Sequence, residues 1–242
     1  HSFSIPSAEL WPLLKKAQAQ KENSIELFSP SDGLVGEAIY ELKREGSIVI
    51  EEGRCYNKDL WEAEKSVALR VVALAKEGQV LWEGDHKAHL ASYLDERGMV
   101  LEERQEEAVL EITKRAGGFY VIRGGPGSGK TFTAKIVLDM LRLAYQNAKL
   151  PLRISVMAPT GKASRAIRNA TEYEATTIHR GLGCDAKGEF YYNRENPLSC
   201  DVLLLDESSM LDIRLAANLL EAIPASAKVI FIGDTNQLPS IE

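Results

Sequence analysis

The sequence feature that most constrains the fold of this chain is a glycine-rich stretch at residues 124–131. It reads Gly-Gly-Pro-Gly-Ser-Gly-Lys-Thr and matches the pattern G-x-x-x-x-G-K-[ST] in full. The apolar run 119–122 precedes it, and residues 136–141 follow with apolar side chains at helical spacing. A strand, a loop and a helix in this order are the context in which the pattern indicates a phosphate-binding loop rather than a chance glycine-rich turn.

The residue types of this loop (the P-loop, or Walker A motif) suit the phosphates of a nucleotide. Glycines let backbone N–H groups close around phosphate oxygens, and the helix that follows adds the positive end of its dipole. Lys130 can reach the β- and γ-phosphates, and the Thr131 hydroxyl can ligate Mg²⁺. We therefore predict that the loop binds a nucleotide together with Mg²⁺. The predicted nucleotide-binding residues of the loop are Gly124, Gly125, Pro126, Gly127, Ser128, Gly129, Lys130 and Thr131.

The composition is that of an ordinary globular protein, with 45% hydrophobic and 26% charged residues in a chain of 242. No apolar run approaches the roughly 20 residues of a membrane span, so we expect no membrane contact. The three cysteines are far apart and fit a reducing cytoplasm better than a disulfide framework. We expect a cytoplasmic monomer.

The charge of the chain is unevenly distributed. A net charge of −6 argues against a protein that coats DNA with its whole surface. Residues 149–180 nevertheless contain six Lys and Arg against two Glu. This local excess of positive charge is compatible with a surface that binds nucleic acid.

The first 97 residues have a different pattern from the rest. A helix is predicted after Ser7, a second over about 31–45, and a strand, tight turn and strand over 48–56. Helix, helix and hairpin predict a helical and winged-helix-like domain at residues 1–97, which could bind DNA or only pack against a neighbour. Helices at about 59–76 and 85–97 follow, and His86 and His89 on the second of them indicate a solvated helix face rather than a metal site.

From residue 98 to 242, short strands alternate with helices. Each strand is nearly continuous in apolar character, as a parallel strand covered on both faces should be. We predict an α/β domain with a doubly wound parallel sheet, the fold of P-loop NTPases. The predicted strands are 119–122, 154–158, 202–205 and 229–232, and the predicted helices are about 105–115, 131–145, 162–169 and 213–222.

An acidic pair follows the third of these strands, at the position of a Walker B motif. Asp206 would hold Mg²⁺, and Glu207 would orient and deprotonate the attacking water. The alternative is an acidic pair that merely caps a strand end. The four apolar residues before the pair and the P-loop upstream favour the functional interpretation.

Polar turns follow three more segments. After the last strand, Gln237 could hydrogen-bond a γ-phosphate or its water. Residues 158–164 combine a glycine turn, a hydroxyl, N–H groups and a lysine, which suit a nucleic-acid phosphate, and residues 177–180 form a second polar and basic turn. Each turn by itself would be a solvated loop end.

Together and in this order, these motifs resemble those of superfamily 1 helicases, and within them the RecD-like family. The matching stretches are the P-loop, Ala158-Pro-Thr-Gly-Lys-Ala163, Thr177-Ile-His-Arg180, Asp206-Glu-Ser-Ser-Met210 and the Gly-Asp-x-x-Gln-Leu-Pro-Ser pattern at 233–240. Residues 101–109 look like the family's Q motif, whose glutamine reads adenine.

The resemblance implies a RecA-like motor that couples ATP hydrolysis to 5′→3′ translocation on single-stranded DNA, in DNA repair and recombination. It implies that Gln105 contacts adenine, and that Lys130, Glu207 and Gln237 are catalytic. Metal binding would fall to Thr131 and Asp206. DNA contacts would fall to Thr160, Lys162 and His179.

The chain departs from the family in stopping at Glu242, before a second motor domain and its arginines. Because an arginine finger contributes several orders of magnitude in rate, we expect these 242 residues alone to bind nucleotide weakly, to hydrolyse it poorly and not to unwind DNA. Two alternatives stay open: the alpha (RecD) subunit of an exodeoxyribonuclease V-type complex, and a regulatory ATP-binding switch. The sequence does not identify a protein partner.

Overall fold

The computed structural model describes residues 34–51, 54–82 and 85–234. The helix predicted after Ser7 lies outside these residues, as does the segment that contains Gln237. The chain divides into two compact units, residues 1–66 and residues 67–242.

The first unit contains a helix followed by a hairpin, as the sequence predicts. Helix α1 (Leu34–Glu45) leads into β1 (Ile48–Glu51), which pairs antiparallel with β2 (Arg54–Asn57). Helix α2 (Lys58–Leu74) begins in this unit, where the Trp61 indole N–H donates to a Glu51 carboxylate oxygen at 2.9 Å.

The second unit is built on a sheet of five parallel strands. The strands are β5 (Phe119–Arg123), β6 (Ile154–Ala158), β7 (Ala175–Thr177), β8 (Val202–Leu205) and β9 (Lys228–Gly233). Their order across the sheet is β5-β9-β8-β6-β7, and every neighbouring pair is parallel. All five therefore end at the same edge, which we call the carboxyl edge.

Helices pack on both faces of this sheet. They are α3 (His86–Glu96), α4 (Glu103–Thr113), α5 (Lys130–Asn147), α6 (Gly161–Thr171), the short α7 (Ile178–Gly181) and α8 (Ile213–Ala222). The leucines of β8 show why the strand is apolar throughout. Leu204 packs in the core cluster that contains α5, whereas Leu203 and Leu205 pack in the cluster that contains α8. The predicted doubly wound α/β fold is confirmed.

Two parts of the fold are absent from the sequence prediction. Strands β3 (Glu77–Val80) and β4 (Arg115–Gly117) form an antiparallel pair with an irregular register. Strand β7 and helix α7 form the far edge of the parallel sheet. All are four residues or shorter and contain few apolar residues, so they carry little periodic signal.

The boundary between the two compact units falls between residues 66 and 67, whereas the sequence pattern predicts a domain boundary between 97 and 98. The second half of α2 and all of α3 pack with the nucleotide-binding unit. Arg70 donates to the carbonyl oxygens of Leu220 and Ile223 at 3.1 and 2.6 Å, and Leu90 and Tyr93 lie in the core cluster of α5. Where the functional domain begins stays a prediction.

The two histidines of α3 do not form a solvated face, so that prediction is wrong. The Trp82 ring stacks on His86 at 4.7 Å between ring centroids and lies 5.0 Å from His89. His86 Nε2 lies 2.8 Å from the Thr113 hydroxyl, and burial lowers its pKa. Among the described residues, no group of three or more His, Cys, Asp or Glu could hold a metal ion.

None of the helices in the described part of the chain has the length and hydropathy needed to cross a bilayer.

A carboxylate joins three helices on one face of the sheet. Asp139 on α5 accepts hydrogen bonds from the Tyr93 hydroxyl at 2.6 Å and from the Tyr173 hydroxyl at 2.8 Å. Burial, together with the hydrogen bond to Asp139, raises the pKa of both tyrosines well above the ordinary value. Since Tyr93 lies on α3 and Tyr173 directly follows α6, this pair of bonds ties both helices to α5.

Removing one of these hydroxyls should destabilise the unit measurably. We expect Tyr173→Phe to lower the free energy of unfolding by about 1–2 kcal/mol, because it removes a hydrogen bond to a charged group. Urea unfolding measures the change. Tyr191→Phe is the matched control: this residue is 66% exposed, and we expect no more than about 0.5 kcal/mol. An equal loss in both variants would contradict the role of Asp139.

Candidate nucleotide site

The P-loop connects the end of β5 to the start of α5. Gly127 and Gly129 have φ of 75° and 76°, in the left-handed region that favours glycine. A Cβ atom placed on Gly129 would also lie 2.5 Å from the Gln105 side-chain nitrogen, so a larger residue there would displace the Gln105 side chain. The pattern of glycines in the sequence therefore corresponds to the backbone geometry of the loop.

The lysine of the motif lies against its own loop. Lys130 Nζ donates to the carbonyl oxygen of Gly125 at 2.8 Å and also to that of Gly124. Its positive charge is thereby held among the backbone groups of the loop. A phosphate bound by the loop N–H groups would meet this charge at close range.

The acidic pair lies at the carboxyl edge after β8, which β9 separates from the P-loop strand β5. The Asp206 N–H donates to Met157 O at 3.0 Å, which continues the pairing of β8 with β6. Burial raises the pKa of Asp206, partly offset by a hydrogen bond from the Glu207 N–H; the charge of Glu207 raises it further and that of Lys130 lowers it. Asp206 and Lys130 are thus close enough to interact electrostatically.

Glu207 has an unusual backbone conformation. Its φ of 52° and ψ of 39° are left-handed, which is uncommon for a residue with a side chain. It precedes a short 3₁₀ turn, Ser208–Met210, in which the Met210 N–H donates to Glu207 O at 3.0 Å. Such strain clusters at functional sites, and here it falls on the predicted general base.

The donor set suits a magnesium ion. The Thr131 hydroxyl and the Asp206 carboxylate are hard oxygen ligands, and Mg²⁺ in nucleotide sites is held by one or two such groups, phosphates and water.

Strand β9 runs between β5 and β8, so Gly233 at its carboxyl end lies between the P-loop strand and the strand that precedes the acidic pair. The approach is close, because a Cβ placed on Gly233 would lie 2.7 Å from the Ser208 hydroxyl. Asp234, the last described residue, is buried. Gln237 follows three residues later and its role stays a prediction.

The predicted DNA-binding residues lie at two neighbouring strand ends. Strands β6 and β7 pair side by side up to Ala158 and Thr177. Thr160 begins α6 and its hydroxyl oxygen accepts from the Ala163 N–H at 3.1 Å, which leaves its O–H free to donate. Lys162 and His179 are exposed. The structure brings these three residues to the carboxyl edge, and their contacts with DNA stay predictions.

Gln105 lies in the first turn of α4 and contacts the P-loop directly. Its Nε2 donates to Ser128 O at 3.2 Å, and its Oε1 accepts from the Glu102 N–H at 3.1 Å. The sequence does not indicate the bond to Ser128, because 23 residues separate the two positions and no local pattern joins them.

A glycine-rich loop that opens a helix, with a half-buried aspartate at the end of a nearby parallel strand, defines the class: this is a P-loop nucleotide-binding domain. The family follows from comparison with known proteins. The model of the AAA domain family matches residues 105–242, and the chain belongs to this family as a RecD-like member of the superfamily 1 helicases.

The curated relatives include a DNA helicase and subunits of the RecBCD enzyme. The chain is 34% identical over 198 residues to the ATP-dependent RecD2 DNA helicase of Deinococcus radiodurans, an alignment that covers 79% of the chain and 25% of the relative. It is 30% identical over 214 residues to the RecBCD enzyme subunit RecD of Haemophilus influenzae, covering 78% of the chain and 32% of the relative. The chain thus spans a quarter to a third of the length of these two relatives.

Among solved structures, a Pif1 helicase from Bacteroides in complex with ADP-AlF3 and ssDNA is 24% identical, with a TM-score of 0.40. The alignment covers 60% of the chain and 34% of the helicase.

Because Asp206 is partly buried, we expect its ionised carboxylate to lower the free energy of unfolding. A carboxyl group whose pKa is raised by folding makes the folded state less stable once pH exceeds that pKa. At pH 7, without added Mg²⁺, we expect Asp206→Asn to raise the free energy of unfolding by about 0.5–1 kcal/mol. Near pH 3, where the wild-type carboxyl is protonated, the difference should vanish. Urea unfolding at the two pH values measures it.

Asp201, at the other end of the same strand, is the matched control. Hydrogen bonds from Arg153 lower its pKa, so its ionised form stabilises the fold at neutral pH and this contribution is lost as pH falls through the lowered pKa. We expect Asp201→Asn to lower the free energy of unfolding at pH 7 by about 1 kcal/mol. The same sign for both variants would contradict the assignment.

Proposed function

We propose that this chain hydrolyses ATP with Mg²⁺, as the nucleotide-binding part of a DNA helicase motor. In the whole protein, hydrolysis drives 5′→3′ translocation on single-stranded DNA and unwinding. One observation carries the proposal. The P-loop and the acidic pair lie at the carboxyl edge on either side of the end of β9, and the exposed basic turns lie at the same edge.

The residues divide the reaction between binding and chemistry. The loop N–H groups and Lys130 bind the phosphates, and Thr131 and Asp206 would hold Mg²⁺. The ion would supply positive charge to the phosphoryl oxygens during transfer. Glu207 orients the attacking water and accepts its proton, and Gln237 senses the γ-phosphate.

Single-stranded DNA would lie across the ends of β6 and β7. Lys162 and His179 are exposed there, and the start of α6 presents backbone N–H groups next to the Thr160 hydroxyl. Phosphate contacts of this kind position a strand without reading its sequence. The chain leaving β9 would then couple the nucleotide state to the DNA side of the sheet.

The 242 residues by themselves would hydrolyse ATP slowly and would not separate strands. They align with only a quarter to a third of the two helicase relatives, and stepping along DNA requires domains that close on the nucleotide. Strand separation by this chain alone would contradict this part of the proposal.

A second candidate is a subunit of a RecBCD-type complex. The relative from Haemophilus influenzae is named a RecBCD enzyme subunit RecD, and its alignment covers nearly as much of the chain as that of the RecD2 helicase. Purification of the natural protein distinguishes the two, because a subunit would elute with nuclease partners and a stand-alone helicase would not.

The roles of Lys130 and Glu207 can be separated by kinetics. We expect Glu207→Gln to reduce the ATP hydrolysis rate about 100-fold or more while leaving ATP affinity within about threefold, because it removes a base and no phosphate contact. Lys130→Ala should instead abolish measurable ATP binding. The hydrolysis rate is measured from the release of inorganic phosphate, with and without single-stranded DNA.

Glu195→Gln, at an exposed position outside the site, is the control for the loss of a carboxylate. Normal hydrolysis by Glu207→Gln would show that another group is the base. The absence of DNA stimulation in the natural full-length protein would remove the basis of the motor proposal.

The proposed DNA-binding surface, formed by Thr160, Lys162 and His179, can be tested through the salt dependence of DNA affinity. We expect Lys162→Ala to weaken single-stranded DNA binding and to reduce the slope of log affinity against log salt concentration by about 0.7, since one phosphate contact is lost. Fluorescence anisotropy at several salt concentrations measures both. Lys149→Gln is the control, because Lys149 is exposed and precedes β6, at the opposite edge of the sheet. Equal slopes for the two variants would contradict the proposal that DNA binds at the ends of β6 and β7.

A further inference from the structure

The side chain of Gln105 joins a helix to the P-loop. Residue 105 lies in the first turn of α4, and its amide spans from the Glu102 N–H of that helix to the Ser128 carbonyl oxygen. Both distances, 3.1 and 3.2 Å, are within the hydrogen-bonding range. Reading adenine does not require a bond to the P-loop, so this contact needs an explanation of its own.

The amide has enough capacity for two tasks at once. A glutamine side chain offers two donor hydrogens on Nε2 and two acceptor lone pairs on Oε1. One hydrogen is directed to Ser128 and one lone pair accepts from Glu102, which leaves one donor and one acceptor. Adenine presents an N7 acceptor beside an N6 donor, the pair that glutamine binds in bidentate fashion. Binding a base therefore does not require breaking the bond to the loop.

The carbonyl that Gln105 contacts controls an important N–H group. Ser128 C=O and Gly129 N–H belong to one planar trans peptide, so holding the oxygen on one side directs the N–H to the other. Gly129 immediately precedes Lys130, and its N–H is among those with which such loops bind phosphate. The orientation of that N–H thus depends on the Gln105 side chain.

The absence of a side chain at Gly129 allows Gln105 to lie close to the loop backbone. A Cβ on Gly129 would lie 2.5 Å from Gln105 Nε2, and φ at Gly129 is already left-handed at 76°. Helix α4 is itself held against the core by Val109 and Ile112, which are buried in the same cluster as α5. A rigid helix therefore presents Gln105 to a glycine that leaves space for it.

We propose that Gln105 is a positioning residue for the P-loop, which links adenine recognition to the geometry of the phosphate-binding N–H groups. The proposal rests on the proposed function, since it requires that the loop bind nucleoside triphosphates. It differs from a purely adenine-reading role in one respect. Loss of Gln105 should weaken the binding of a triphosphate that has no base.

Inorganic tripolyphosphate is the probe that separates the two roles. We expect Gln105→Met, which has similar length but no amide, to weaken Mg²⁺-tripolyphosphate binding to the 242-residue chain about three- to tenfold, the contribution of one hydrogen bond. ATP binding should weaken by more than that, because the adenine contacts are lost as well. Isothermal titration measures both, with GTP as the nucleotide that carries a different base.

Two further measurements keep the result specific. Glu107→Ala, at an exposed position on the same helix, should bind tripolyphosphate as the wild type does. In ¹⁵N-labelled protein without ligand, the Gly129 amide resonance should shift in Gln105→Met and not in Glu107→Ala. A role confined to capping α4 would not move a resonance in the P-loop.

The proposal is overturned if Gln105→Met binds tripolyphosphate as tightly as wild type while it loses only the preference for ATP over GTP, or if the Gly129 resonance does not move. A wild-type chain that binds neither ATP nor tripolyphosphate overturns the proposed function itself. The two failures are therefore distinguishable in one set of titrations.

Discussion

The candidate site depends on the parallel pairing of β9 with both β5 and β8. In this register Arg123 lies beside Gly233, and Leu205 lies beside Phe231, so the three strands end close together. The P-loop follows one outer strand of this trio, and the acidic pair follows the other. Gly233, at the end of β9, lies between them. A helical or antiparallel arrangement of the same motifs would separate the phosphate-binding N–H groups from the aspartate, because only parallel strands bring their carboxyl ends to one edge.

This pairing could be predicted as far as burial on two faces leaves a trace in the sequence. Strands β8 and β9 are apolar at nearly every position because alternate side chains enter different core clusters, one with α5 and one with α8. Strand β7, with the sequence Ala-Thr-Thr, lies at the sheet edge and needs no such run. It is therefore invisible to the same reasoning. The order of strands across the sheet is likewise not written in any local pattern, and only the structure shows β9 at the centre of the site.

The site divides in the same way. The P-loop and Asp206 could be predicted because backbone conformation and metal chemistry act on adjacent residues and leave local motifs. Contacts between distant segments could not be predicted. The bond from Gln105 to Ser128 spans 23 residues, and the bonds from Tyr93 and Tyr173 to Asp139 span 46 and 34. Each depends on how helices pack, which a motif does not encode.

The acidic pair does not stabilise the fold. The surrounding structure instead keeps these two residues in an unfavourable state. Burial of Asp206 disfavours its charged form, and Glu207 sits in a left-handed conformation that side chains avoid. Neither feature would persist unless the surrounding structure compensated for it. The compensation comes from β8, whose four residues are all fully buried, and from the ladder bond of Asp206 to Met157. A hydrophobic strand paired on both sides can therefore carry an unfavourable carboxylate and a conformationally strained glutamate at its end. This explains why the most apolar segment of the unit directly precedes the residues proposed to carry its chemistry.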